Sequence, residues 1–292
     1  MEIMKAIALF SGGLDSILAV KYMEKLGIKV IPFYFVNPYN VNDVDEIAKS
    51  NKLKIRKIKL DKSYIKAMRK PKYGFGKNLN PCIDCRIFLL KQAKKLMKKL
   101  KADFIITGEV IGQRPMSQYK KALDLVEKKS GLKSKLVRPL TGELLEETIF
   151  PKEKLLDISG RSRKRQLELA KKFKIKKYLT PAGGCLLTDE NFCKKLKDLY
   201  EHKKIISLED IELLKIGRHF RVNKDKIVVG RNEKENKKLE KFKGIKLEPV
   251  DFPGPTVLLQ GKNIKKAKEL LLRYSKKKGK IKCVHKDRKQ FL

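Results

Sequence analysis

Ala6-Ile7-Ala8-Leu9-Phe10-Ser11-Gly12-Gly13-Leu14-Asp15-Ser16 is an apolar run that breaks at a Ser-Gly-Gly turn and passes into a helix-like run, residues 17–23. A strand, a tight glycine turn and a helix N-terminus together form an anion cradle. The unpaired amides of the first helical turn and the helix dipole both favour negative charge there. Gly12 and Gly13 let the backbone come close to a phosphate. Ser11 and Ser16 bring hydroxyl donors, and Asp15 suits a metal ion or a cap. There is no Gly-Lys-Ser/Thr and no GxGxxG, so this is neither a Walker A loop nor a dinucleotide fingerprint. Such a turn directly after a first strand predicts the switch point of a doubly wound sheet.

Outward from this turn, short apolar runs alternate with helical ones. Residues 30–36, 55–60, 103–107 and 136–140 read as strands. Residues 43–52, 63–69, 88–100, 118–129 and 166–173 read as helices, and 70–81 as a mobile Gly/Pro/Asn loop. This alternation predicts a parallel α/β sheet with its ligands on the C-terminal edge of the strands. Phe35, at the end of the second strand, and Gly108, after the fourth, are placed beside the nucleotide. Beyond residue 205 the pattern changes to short β-like pieces, a helix over 264–276 and a basic tail. We therefore expect two domains, 1–205 and 206–292, the second a smaller basic α+β domain.

Lys and Arg number 72 against 33 Asp and Glu, a net charge of +39. Lysine-rich composition also accompanies A+T-rich genomes and thermophilic habits, but those raise Glu along with Lys, and here the acids do not keep pace. The excess points to a polyanion, nucleic acid first. The candidate RNA-contacting side chains are Arg114, in the loop after the fourth strand, the turn residues Arg161, Arg163 and Arg165, and Arg218 and Arg231 in the second domain. A basic turn opposes the dipole of the helix it starts, and an anionic partner offsets that. No stretch is long and apolar enough for a membrane span, and no secretory signal is visible, so a cytoplasmic location is expected. The five cysteines are then thiols, metal ligands or catalytic groups and not a disulfide framework.

Ser11-Gly12-Gly13-Leu14-Asp15-Ser16 matches the SGGxDS signature of the PP-loop ATP pyrophosphatase superfamily. With Asn80-Pro81-Cys82-Ile83-Asp84-Cys85, Thr107-Gly108 and Cys185, residues 4–200 resemble its tRNA thiolation branch, the 2-thiouridylases and 4-thiouridine synthetases. The resemblance implies an adenine nucleotide alpha-hydrolase-like fold. It also implies ATP cleavage to AMP and pyrophosphate with magnesium, adenylation of a uridine carbonyl oxygen in tRNA, and its replacement by sulfur. Asp15, Cys85 and Cys185 become the catalytic candidates, and Ser11, Gly12, Gly13, Asp15, Ser16, Phe35 and Gly108 the nucleotide-binding ones. Cys82 is an addition to the thiouridylase pattern and makes the pair resemble the cluster-dependent tRNA thiolases.

Cys82, Cys85 and Cys185 suit a 4Fe-4S cluster with one open iron, thiolates being the usual ligands. A persulfide route through Cys85 and Cys185, or a zinc site completed by a histidine, stays open. The sulfur donor is sulfide or a persulfide carrier, and a homodimer is allowed. Gly217–Val222 and Ile227–Asn236 resemble the RNA-binding domain of NFACT proteins. The competing readings are a non-enzymatic RNA-binding protein with an ATP-binding domain, or another PP-loop tRNA ligase such as a lysidine synthetase. A ligase has no need of three such cysteines, and a binding module needs no ATP cleavage.

Overall fold

The computed structural model describes residues 3–146, 148–180, 184–285 and 288–291, with the backbone alone for 285 and 288–291. The described chain forms two compact units, Met1–Asp189 and Glu190–Leu292.

In the first unit β1 (Lys5–Leu9), α1 (Leu14–Lys25), β2 (Lys29–Val36), α2 (Asp45–Ser50), β3 (Arg56–Lys59) and α3 (Lys62–Arg69) come first. They are followed by α4 (Cys82–Lys99), β4 (Phe104–Ile106), α5 (Lys120–Ser130), β5 (Leu136–Val137) and α6 (Lys164–Lys172). The strands form one parallel sheet in the order β3-β2-β1-β4-β5. The chain builds outward from β1 through β2 to β3, then returns to the other side of β1 with β4. The crevice between the ends of β1 and β4 is thus the switch point where such sheets bind ligands. β1 is buried on both faces, as a central parallel strand must be. Ala6 and Ala8 pack with Ile17, Val20 and Met23 of α1, and α4 packs against β1 and β4.

The second unit begins with α7 (Glu190–His202) and α8 (Leu208–Leu214). There follow β6 (Arg218–Val222), β7 (Asp225–Val229), α9 (Glu233–Leu239), β8 (Ile245–Pro249), β9 (Val257–Gln260), α10 (Ile264–Arg273), β10 (Ile281–His285) and β11 (Arg288–Phe291). Its antiparallel sheet runs β11-β10-β8-β9-β7-β6. The period of two sorts its faces. Ile227, Val229 and Leu259 pack on Ala267, Leu270 and Leu271 of α10, while Val228 and Leu258 meet Leu213, Ile216 and Leu239 from the α8 and α9 side. The compact unit starts at Glu190, ahead of the change of pattern seen near residue 205, because α7 carries Asp198, which holds Arg221 of β6 by two hydrogen bonds of 2.9 and 2.7 Å.

Two local readings change. Helix α4 starts at Cys82 and not near residue 88, so both cysteines stand on its first turn. Asp84 on that turn accepts hydrogen bonds from the Lys72 and Tyr73 amides at 2.8 and 3.0 Å, which fastens the 70–81 loop expected to be mobile.

Candidate functional site

The glycine turn is shaped by its own hydrogen bonds. The Ser11 hydroxyl donates to Ser16 Oγ at 3.1 Å, and the Ser16 hydroxyl donates to the Gly13 carbonyl at 2.8 Å. Ser11 is exposed and Ser16 buried, so Ser11 is the hydroxyl open to a ligand. Gly12 has φ +79°, and the Leu179 amide donates to its carbonyl at 2.9 Å. A positive φ of this size strains any residue with a Cβ. Gly108 is required for a different reason. A Cβ there would stand 2.5 Å from the carbonyl carbon and oxygen of Asp15 and 2.6 Å from the Ser16 nitrogen. The end of β4 therefore lies directly on the first turn of α1. Phe35 is 5% exposed, paired with Ile58 of β3.

Asp15 is the electrostatic centre of this crevice. Its Oδ2 accepts from Gln113 Nε2 at 2.9 Å, while its Oδ1 is buried with no hydrogen-bond partner among the described residues. Burial raises its pKa, opposed by the Gln113 hydrogen bond and by Arg163 and Arg114 nearby. Gln113 Oε1 and Arg163 Nε are likewise buried without partners. An orphaned buried polar atom costs about 1–3 kcal/mol, so three around one carboxylate call for an explanation. A triphosphate and a divalent cation bound here would supply it. Asp15 Oδ1 would accept the cation, Arg163 would answer phosphate oxygens, and the glycine amides would cradle them.

The thiols occupy a second cluster. Cys82 Sγ lies 3.2 Å from Asn80 Oδ1, and Cys85 Sγ lies 3.1 Å from the Tyr64 hydroxyl. Cys185 is carried in by backbone pairing. It bridges to Asn40, its neighbour Leu186 donates to the Tyr39 carbonyl at 2.8 Å, and Leu79 donates to Leu187 at 3.2 Å. Tyr64 is buried against Tyr39 and Phe88, with ring centroids 6.1 and 5.3 Å away. Its pKa is held well above the usual tyrosine value by burial and by the charges of Cys85 and Cys185. Burial also pushes both helix thiols up; Tyr64 and Arg86 pull Cys85 down, and Arg86 and Asn80 do so for Cys82. All five cysteines are thiols. Among the described residues no group of three or more His, Cys, Asp and Glu side chains is disposed to hold a metal ion as the chain stands.

One carboxylate joins the two clusters. Glu109, next to Gly108, has a side chain 1% exposed and pairs with Arg86 of α4 and Arg138 after β5, each at 3.1 Å. Thr107 Oγ1 donates to it at 2.9 Å. Burial alone would raise the Glu109 pKa, but the two guanidiniums and the hydrogen bonds outweigh it and hold it down. Sequence reading had not singled out Tyr64, Arg86, Glu109, Gln113 or Arg138. The available signal was Glu109 itself, an acid directly after a buried strand on the ligand-bearing edge.

The arginines separate. Arg163 and Arg114 act on Asp15, so the residue 161–165 turn sends one side chain into the nucleotide crevice, through the pairing of Ser159 with Ile111. Arg161 is exposed, and Arg165 is exposed and paired with Asp157 at 2.5 Å. In the second unit Arg218 lies over the Tyr274 ring at 4.8 Å. Arg231 is held by Glu235, which also accepts from the Arg231 and Gly217 amides at 3.0 and 3.2 Å. Asn232 Oδ1 caps α9 through the Glu235 amide at 3.0 Å, and Asn236 Oδ1 accepts from Thr256 at 3.1 Å.

The switch-point glycine loop and its buried aspartate define an α/β nucleotide-binding protein of the PP-loop type. The chain belongs to the thiamine biosynthesis protein (ThiI) family, whose model matches residues 3–157, while residues 217–290 match the NFACT protein RNA binding domain. A probable tRNA sulfurtransferase of Thermococcus kodakarensis is 29% identical over 161 residues, 53% of this chain and 40% of that one. Its counterpart in Methanosarcina mazei is 33% identical over 122 residues, 37% of this chain and 29% of the relative. The chain thus spans well under half the length of either. Among solved structures, a 4-thiouridine synthetase–RNA complex with bound ATP is 21% identical, covering 72% of this chain and 52% of that one, with a TM-score of 0.44.

Proposed function

We propose that this chain is an ATP-dependent tRNA sulfurtransferase. The observation that carries the reading is the link from Asp15 to the thiols: Gly108 touches Asp15, and its neighbour Glu109 pairs with Arg86, one residue from Cys85. A nucleotide crevice and a sulfur-bearing helix are then parts of one site.

In this reading ATP lies along the Gly12–Gly13 turn with Arg163 on its phosphates. Magnesium held by Asp15 would neutralise the charge that develops on pyrophosphate as it leaves. A uridine carbonyl oxygen attacks the α-phosphorus, the α–β phosphoanhydride bond breaks, and the base carries AMP. A sulfur nucleophile then attacks the ring carbon, and the carbon–oxygen bond breaks with AMP as leaving group. The target base has to leave its stack to reach such a crevice. Cys82, Cys85 and Cys185 would hold a 4Fe-4S cluster, which would present sulfide as the nucleophile. The support is chemical: two thiols stand on the first turn of α4, and the third lies on a segment whose Leu187 carbonyl accepts from the Leu79 amide, three residues before Cys82. A second reading rests on Tyr64, which senses Cys85 and Cys185 together. These two would serve as persulfide-bearing and resolving thiols.

The second unit would bind the RNA, as its domain match and the charge of +39 suggest, with Arg218 on phosphates, and Arg161 and Arg165 of the first unit would add phosphate contacts of their own. The sulfur donor would be sulfide or a persulfide carrier, and the compartment the cytoplasm. Among the described residues no helix is long and apolar enough to cross a membrane.

The test is turnover of ATP with unmodified tRNA and sulfide under anaerobiosis. AMP, pyrophosphate and a thiolated uridine are expected, all lost in Asp15→Ala; ADP and phosphate as products would sink the proposal. Protein purified anaerobically with about four irons, lost in each single Cys→Ala variant, supports the cluster. Iron-free protein that is active with a persulfide donor and not with sulfide alone favours the persulfide, and bound zinc a structural site.

A further inference from the structure

The second unit contains a cleft of about 450 Å³ that the proposed chemistry does not use. Its floor is one register row across three strands, Arg221 of β6 opposite Lys226 of β7 opposite Gln260 of β9. The end of α7, with Leu199, His202 and Lys203, forms one wall, and Lys243 and Gly244 form the other. Lys224, on the turn between β6 and β7, closes an end.

The charges around this cleft do not balance. Asp198 takes Arg221 in a two-pronged pair, with His202 Nδ1 3.5 Å away. Asp210 takes Lys203 at 2.7 Å and also caps α8 through Ser207. Lys224 and Lys243 pair with no carboxylate among the described residues. Lys226 is the decisive group. Its side chain is 6% exposed, and the one hydrogen bond its ammonium makes among the described residues is a long 3.4 Å contact to Asp198 Oδ2, an oxygen already 2.7 Å from Arg221. An ammonium has three donors, and a buried one with two of them unanswered is costly. Burial first, then Arg221, lowers the Lys226 pKa. An anion entering the cleft would offset both by favouring the charged ammonium.

We propose that this cleft is a phosphate-binding site, in which Lys226, Lys224 and Lys243 close on the oxygens of one phosphate group. Three lysines lining one cleft match a group with three or more acceptor oxygens better than a two-oxygen carboxylate. The phosphate comes either from an RNA backbone or from a free phosphate compound. The RNA source rests on the reading of this unit as RNA-binding, while the site itself does not. It lies partly on α7 and α8, before the residues that match the RNA-binding domain.

The experiment compares full-length protein with the Lys224→Gln/Lys243→Gln double variant, whose altered residues lie at the surface, and with Lys226→Gln. One arm measures binding of a 15-nucleotide oligouridylate without terminal phosphate, across a salt series. The other measures the thermal shift given by inorganic phosphate against chloride at equal ionic strength. We expect the double variant to bind RNA about tenfold more weakly, with a salt slope shallower by about 0.7, the one single-strand phosphate contact of this site. Lys226→Gln should match it. Wild-type protein that ignores RNA but is stabilised by phosphate, with the effect lost in both variants, upholds the site for a small phosphate and overturns the RNA reading. RNA binding retained with unchanged slope in all variants, together with a phosphate shift that is absent or equal in all of them, overturns the cleft and leaves the RNA reading standing. Binding of neither ligand by the wild type overturns both.

Discussion

Gly108 lies against the backbone of Asp15, close enough that a single added Cβ would approach the Asp15 carbonyl to 2.5 Å. The contacted atoms are backbone, so no rotamer change can absorb the clash. Gly108→Ala should push the first turn of α1 away from β4. We expect about 1–3 kcal/mol of lost stability, as for overpacking elsewhere, and a fall in ATP cleavage of about a hundredfold, as a displacement near 1 Å produces. Calorimetry and a pyrophosphate-release assay read the two effects. Normal turnover in a folded Gly108→Ala protein would remove Gly108 from the site.

The sheet and its switch point could be read from Ala6–Ser16 because each residue there answers a local demand: burial for the strand, positive φ for Gly12, a dipole for the anion. The helix start at Cys82 was harder to read. Pro81 and the glycines before it look like loop, and only Asp84, reaching back to two amides, shows that the loop is fastened. Glu109, Arg86 and Arg138 lie 23 and 29 residues away from one another along the chain, and no local period links them. The Gly230–Asn236 string was legible as a signature. The structure gives Asn232, Glu235 and Asn236 to capping and to backbone amides, so much of that pattern serves folding.

Glu109→Gln should leave two guanidiniums facing a neutral amide in a buried place. Breaking a buried pair in this way costs about 3–5 kcal/mol. Its pKa is lowered from 4.5 in the folded chain. The stabilisation it gives is therefore complete above the unfolded value and fades as pH falls through the folded one. The wild type should show an acid-unfolding limb below about pH 4.5, weaker in the variant, measured by urea denaturation across pH. Equal acid limbs would assign the lability to other carboxylates.

Tyr64→Phe removes the hydroxyl 3.1 Å from Cys85 Sγ. That hydroxyl favours the Cys85 thiolate, against the larger effect of burial. Its loss should raise the thiol pKa and slow iodoacetamide alkylation of Cys85 at pH 8 by about twofold to tenfold. Cys193, buried on α7, serves as the internal reference in the same mass-spectrometric digest. Faster alkylation of Cys85 would show that packing by Tyr64, and not its hydrogen bond, governs that thiol.

His219 gives the second unit its own pH dependence. The ring sits on β6 with Nε2 2.8 Å from the Ile216 carbonyl, while Nδ1 is buried without a partner. Burial, with Lys226 and Lys195 nearby, pushes its pKa down to about 3 from 6.5. The folded chain thus keeps the ring neutral where the unfolded chain takes up a proton. Stability is unaffected by this group above pH 6.5 and declines as pH falls from there toward 3, by about 1.4 kcal/mol per pH unit. Glu109 acts only below that range, so between pH 6.5 and 5 the two are separable. His219→Leu should flatten the loss of stability in this window while lowering stability at pH 7, where the ring's hydrogen bond to Ile216 is gone. Urea titrations at pH 7, 6 and 5 read the slope directly. A His219→Leu protein that loses stability with acid as steeply as the wild type would mean that the ring is protonated in the folded chain, with Nδ1 finding an acceptor there.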